Sequence, residues 1–151
     1  LLLVEPHRRS ALEPRGDDSF LGPAPRFARF PLRFARDSGK VIGVAYGGDW
    51  YMGERYRGPL RFPAPAAWNS YLGHYRIMQP WQPNFRVILR RGRLYLVSRE
   101  GGEEPLSPIG NGEFRVGDVQ SAERLVFSDV ADGQALVATL SGMRYYRAFT
   151  P

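Results

Sequence analysis

The sequence predicts an all-β chain, an antiparallel eight-stranded barrel preceded by a truncated second copy of the same unit. Three observations predict it. Glycine and proline number 17 and 13, a density that long helices tolerate badly and short strands joined by turns tolerate well. Apolar and polar residues alternate with a period of two in several short runs. Finally, a pattern from the first half of the chain recurs in the second half.

The second half carries the clearer strands. In Phe85-Arg86-Val87-Ile88-Leu89-Arg90, Phe85, Val87 and Leu89 fall on one face, and Arg86 and Arg90 on the other. Arg91-Gly92 is a turn signal, and Arg93 to Val97 follows as the hairpin partner. Gly101-Gly102 and then Ile109 to Gly112 turn the chain again, and Phe114-Arg115-Val116 comes next. Arg124 to Ser128 reads as a strand, turned by Asp132-Gly133 into Ala135 to Leu140. Ser141-Gly142 leads into Met143 to Phe149. Ahead of these, Tyr71 to Ile77 reads as the opening strand. This spacing is that of an antiparallel barrel or sandwich, and closing the sheet removes its edges.

The recurring pattern is L-x-P-x-G-[DN]-x-x-F. Leu12, Pro14, Gly16, Asp17 and Phe20 match Leu106, Pro108, Gly110, Asn111 and Phe114. Leu1-Leu2-Leu3-Val4 falls opposite Leu94-Tyr95-Leu96-Val97, and Leu32-Arg33-Phe34 opposite Leu125-Val126-Phe127. Gly39 falls opposite Gly133, and Trp50-Tyr51 near Tyr145-Tyr146. Ile42, Val44 and Tyr46 align with Leu136, Ala138 and Leu140. The order is kept throughout. Nothing precedes Leu1 to match the two opening strands of the second copy, so the first copy reads as truncated. Its expected extent is residues 1–57, followed by a proline-rich linker at 58–67 and the barrel at 68–151.

Charge adds little. The net charge is +6, almost all from arginine, since Lys40 is the lone lysine. The arginines are scattered, whereas a nucleic-acid footprint needs a basic stripe, so nucleic acid is not an expected partner. With no cysteine, disulfides and cysteine-ligated metals are excluded. No stretch approaches the ~20 apolar residues of a membrane span.

Chemistry is sparse. The two histidines, His7 and His74, are far apart in sequence and suggest no zinc site. There is no G-x-S-x-G elbow, S-x-x-K, K-T-G, P-loop or dinucleotide fingerprint. Asp17-Asp18 and Glu103-Glu104 are adjacent acids in or beside turns, where solvated carboxylates are expected. No catalytic, cofactor-binding or metal-binding residue is assigned, and no cofactor is expected. The aromatics are richer, and Trp81, Tyr95 and Tyr145 are the candidates for a ligand or interface surface.

Several segments carry a resemblance. Tyr71-Leu72-Gly73-His74-Tyr75, Asn84-Phe85-Arg86-Val87, Gly92-Arg93-Leu94-Tyr95-Leu96 and Gly133 before Ala135-Leu136 resemble the lipocalin-like C-terminal region of bacterial serine hydrolases. Those hydrolases belong to the β-lactamase and penicillin-binding-protein-like family. The resemblance covers residues 68–151, and residues 1–56 as a partial second copy. It implies a lipocalin-like barrel. The family's nucleophile, tyrosine and lysine or histidine motifs are all missing here, so no catalytic residue carries over. What the resemblance implies is a non-catalytic accessory domain, C-terminal to a serine hydrolase domain of the same polypeptide, that shapes substrate access or assists assembly. Homo-oligomerisation is a further expectation. The alternative is a free-standing, lipocalin-like small-molecule binder. An open apolar cavity favours the binder. A filled interior with an apolar outer patch favours the accessory role.

Overall fold

A computed structural model describes residues 2–5, 8–23, 27, 29–79 and 81–149. Leu1 and His7 lie outside them. The chain divides into two compact units, Leu1–Arg61 and Phe62–Pro151.

The second unit opens with a 3₁₀ helix, Ala66–Tyr71, and continues as β8 (Gly73–Arg76), β9 (Phe85–Arg90), β10 (Arg93–Ser98), β11 (Glu103–Gly110), β12 (Glu113–Val116), β13 (Arg124–Ala131), β14 (Gln134–Leu140) and β15 (Met143–Ala148). These eight strands form a closed antiparallel barrel in chain order, with β15 pairing back onto β8. Three of its hairpins turn on residue pairs with both φ positive: Arg91-Gly92, Asp132-Gly133 and Ser141-Gly142. That is the type I′ geometry, whose twist matches the strands it joins, and glycine at the second position removes the steric cost there.

The inward positions follow from the alternation. Phe85 and Val87 on β9, Leu94 and Leu96 on β10, and Phe114 on β12 all join one buried cluster with Leu125, Phe127 and Tyr145. Cross-strand registers carry the same face around the barrel: Val87 lies opposite Leu96, and Ala138 opposite Tyr145. Full burial of one such large apolar side chain contributes about 2–3 kcal/mol.

Two local expectations change. Tyr71 is the last residue of the 3₁₀ helix, so the opening strand is only Gly73–Arg76. The reason is packing: the Tyr71 ring stacks on Phe127 at 4.4 Å and meets Phe114 edge-on at 5.5 Å. Glu103, expected as a solvated acid, is instead paired with Arg90, and the two side chains are only 8% and 10% exposed.

The first unit contains β1 (Leu2–Glu5) paired with β2 (Arg8–Ala11), and a five-stranded sheet of β3 (Glu13–Gly16), β4 (Ser19–Leu21), β5 (Leu32–Asp37), β6 (Lys40–Tyr46) and β7 (Asp49–Met52) in chain order. Its registers run parallel to those of the barrel. Pro14 lies opposite Phe20 and Gly16 opposite Ser19, with a bulge between; Pro108 lies opposite Phe114 and Gly110 opposite Glu113, also with a bulge between. Leu2 pairs with Ala11 as Tyr95 pairs with Pro105. Asp37 pairs with Lys40 across Ser38-Gly39 as Ala131 pairs with Gln134 across Asp132-Gly133. The amide of Phe34 donates to the Asp18 carbonyl at 2.9 Å, and that of Phe127 to the Gly112 carbonyl at 2.8 Å. Phe20 meets Phe34 edge-on at 5.5 Å, as Phe114 meets Phe127 at 5.8 Å.

Candidate functional site

The two ends of the barrel are built differently. One is stoppered by the 3₁₀ helix. Pro63 and Pro65 bias the chain toward an extended approach, and the helix then drops Trp68 and Tyr71 onto Phe114. Arg147, at the end of β15, fastens this plug. Its Nη1 donates to the Leu72 carbonyl at 2.6 Å, Nη2 to the Ser70 carbonyl at 2.7 Å, and Nε to the Ala135 carbonyl at 2.8 Å. The Tyr75 hydroxyl donates to the Tyr71 carbonyl at 2.9 Å. Burial pushes the Tyr75 phenol up to about 12, while the Arg147 charge and hydrogen bond pull the other way. It therefore stays a neutral donor.

The other end holds a cavity of about 210 Å³. Phe85, Leu96, Leu140, Met143 and Tyr145 form its wall, with Glu123 at the rim. Phe85 and Tyr145 pack edge to face at 4.8 Å. Burial, and then the negative charge of Glu123, push the Tyr145 phenol up. The segment between β8 and β9 bends over this end, and the Asn84 Oδ1 accepts from the Ile77 amide at 3.3 Å. The cavity is smaller than the ~300 Å³ at which drug-sized ligand pockets begin. Most of the barrel lumen is side chain: Tyr75, Leu94 and Leu125 are 0% exposed, and Phe114 and Tyr145 1%.

The three candidate aromatics do not converge on one surface. Tyr145 faces the cavity. Trp81 is 88% exposed and lines a separate, largely open groove with Arg76, Met78, Arg99 and Glu100. The two hollows share the Gln82–Asn84 segment as a wall. Tyr95 sits on β10 opposite Ile88 and Pro105, with the Arg90 guanidinium 4.6 Å from its ring centroid.

Arg147 and Glu103 are the polar residues that sequence reading missed. A signal for Arg147 exists: it follows Met143 and Tyr145 at strand period, which places a guanidinium on the inward face. The Glu103 signal is weaker, since its partner Arg90 lies one hairpin away.

Among the described residues, no group of three or more His, Asp or Glu side chains stands where it could hold a metal ion, and no helix is long and apolar enough to cross a membrane. No family model, curated protein or solved structure matches this chain.

Proposed function

We propose that this chain is a non-catalytic accessory module of a serine hydrolase, built from one complete lipocalin-like barrel and one incomplete copy of the same unit. The barrel acts as a rigid docking body that limits which substrates reach the neighbouring nucleophile. The observation that carries this reading is the filled lumen. A carrier of small molecules needs an empty apolar interior, and here tyrosine, phenylalanine and leucine side chains occupy it. The plug fastened by Arg147 reduces access from one end further.

The outer surface supports the same reading. Val126, Val130 and Tyr146, on β13 and β15, are 37%, 61% and 53% exposed. Apolar side chains exposed on the outside of a barrel are available to a docking partner. The reading of the first unit as an incomplete copy draws on the shared bulge at Pro14 and Pro108, the shared type of hairpin turn, and the matched phenylalanine pairs.

The test compares the full polypeptide with one cut ahead of Leu1. With the module present, a small chromogenic ester and a bulky one are expected to differ in kcat/KM by about tenfold more than without it. Residues 1–151 alone are expected to turn over neither. Equal selectivity with and without the module, or ester turnover by residues 1–151 alone, overturns the proposal.

A further inference from the structure

The cavity at the open end of the barrel is apolar where it is buried and charged at its rim. Phe85, Leu96 and Tyr145 in its wall are 3%, 8% and 1% exposed, and Leu140 and Met143 complete the apolar lining. Two of the polar groups in the wall are committed within the protein. The Asn84 Oδ1 accepts from the Ile77 amide at 3.3 Å, and the Ser98 hydroxyl oxygen accepts from the Gly102 amide at 3.0 Å. Among the described residues of the wall, Glu123 alone is charged, and it is exposed.

The Glu123 carboxylate is left without a counter-charge among the described residues. Its neighbour Arg124 donates instead to the carbonyls of Ser121 and Glu123, at 3.0 Å and 3.1 Å, and stands 4.0 Å from the Glu113 carboxylate. What the Glu123 carboxylate accepts is a long hydrogen bond of 3.4 Å from the Ser141 hydroxyl. Glu123 also borders a second hollow that contains Glu104 and Asp118, so this side of the mouth is acidic. The field reaches inward: after burial, the Glu123 charge is the second cause that holds the Tyr145 phenol up. Size sets the other limit. A dry apolar cavity of about 150 Å³ takes a benzene ring. The 210 Å³ here admits one ring and a short arm.

We propose that this cavity binds a small organic ammonium ion, with one aromatic ring or an apolar body of that size among Phe85, Leu140 and Tyr145 and a primary ammonium at the Glu123 carboxylate. The inference goes beyond the docking role and does not depend on it. The ring replaces water against apolar side chains, while the ammonium stays at the rim within reach of solvent, so its desolvation cost is small. A carboxylate on the same ring meets Glu123 as a like charge and is disfavoured.

The test titrates the whole chain with 2-phenylethylamine at about neutral pH and low salt, and follows backbone amide shifts. 2-Phenylethanol and 3-phenylpropanoate, of similar size but neutral and anionic, are the comparison ligands. Saturable shifts are expected at Phe85, Leu96, Glu123 and Tyr145. The amine is expected to bind about fivefold tighter than the alcohol, the modest margin of an exposed ion pair, and the carboxylate weakest of the three. Added salt narrows the margin. Glu123→Gln is expected to weaken the amine about fivefold and to leave the alcohol unchanged. The comparison of the three ligands in the natural chain stands whether or not that variant folds. Failure of the amine to saturate, equal affinities for amine and alcohol, or an amine preference that survives Glu123→Gln overturns the proposal. Shifts centred on Trp81 and Arg99 overturn it too, because the neighbouring groove is then the site.

Discussion

Arg147 and Tyr75 hold each other at the stoppered end of the barrel. The Arg147 Nη2 donates to the Tyr75 hydroxyl at 3.1 Å, and the guanidinium carbon lies 5.3 Å from the centroid of the Tyr75 ring. The same guanidinium satisfies the carbonyls of Ser70, Leu72 and Ala135, so one side chain ties the 3₁₀ helix, β8, β14 and β15 together.

Arg147→Ala strands those carbonyls, and the expected loss of stability is about 2–4 kcal/mol. Arg147→Lys recovers less than half, because an ammonium lacks the planar fork that reaches several acceptors at once. Urea unfolding of the whole chain, following the transition of the second unit, checks both. A loss below about 1 kcal/mol for Arg147→Ala contradicts the latch role.

Alkaline stability follows from the same site. The folded phenol of Tyr75 titrates near 12, against 10 for an ordinary tyrosine. Between those values the folded chain keeps a proton that the unfolded chain has lost. The stabilisation is therefore fully present below pH 10 and declines as pH rises toward 12. Tyr145, also pushed up by burial, adds in the same direction. Urea midpoints measured across this range are expected to fall more steeply in the natural chain than in Tyr75→Phe.

Phe114 touches Trp68, Tyr71 and Phe127 and is 1% exposed. Phe114→Ala is expected to cost about 3–5 kcal/mol. The matching change Phe20→Ala removes a half-buried ring that meets Phe34 edge-on. Its expected cost is about half as large. Equal losses in thermal or urea unfolding contradict the difference in closure between the two units.

The Arg90–Glu103 pair is bidentate, with contacts of 3.1 Å and 2.5 Å. Glu103→Gln leaves a nearly buried guanidinium without its counter-charge, at an expected cost of about 3 kcal/mol. Replacing both residues by methionine and leucine removes the charge altogether and costs less than the single change. A double-mutant cycle in urea measures the difference.

Much of the fold is legible in the residues because hairpin turns and alternation are local signals. Arg91-Gly92, Asp132-Gly133 and Ser141-Gly142 announce their turns, and the phenylalanines and leucines beside them announce the inward face. β11 is harder to see. Pro105 and Pro108 interrupt a run that would otherwise read as a strand, and only its pairing with β10 and β12 makes it one. The plug is harder still. Ala66 to Tyr71 has weak local preference, and its conformation is set by the rings of Phe114 and Phe127, which lie far along the chain. The candidate aromatics illustrate the same limit: residue type marked Trp81, Tyr95 and Tyr145, but three-dimensional closure distributes them over three surfaces.

The pairing of Arg147 with Tyr75 across β15 and β8 has a kinetic meaning as well. Neighbouring hairpins can form as the chain leaves the ribosome, since each needs only a few adjacent residues. The seam of the barrel cannot, because its two sides are separated by nearly the whole unit. Closing it carries a large loop entropy, so sealing is expected to be the slow step of folding. Until β15 emerges, one side of β8 waits as an open edge and the aromatic lumen stays wet, so the unsealed unit exposes the apolar surface on which aggregation starts.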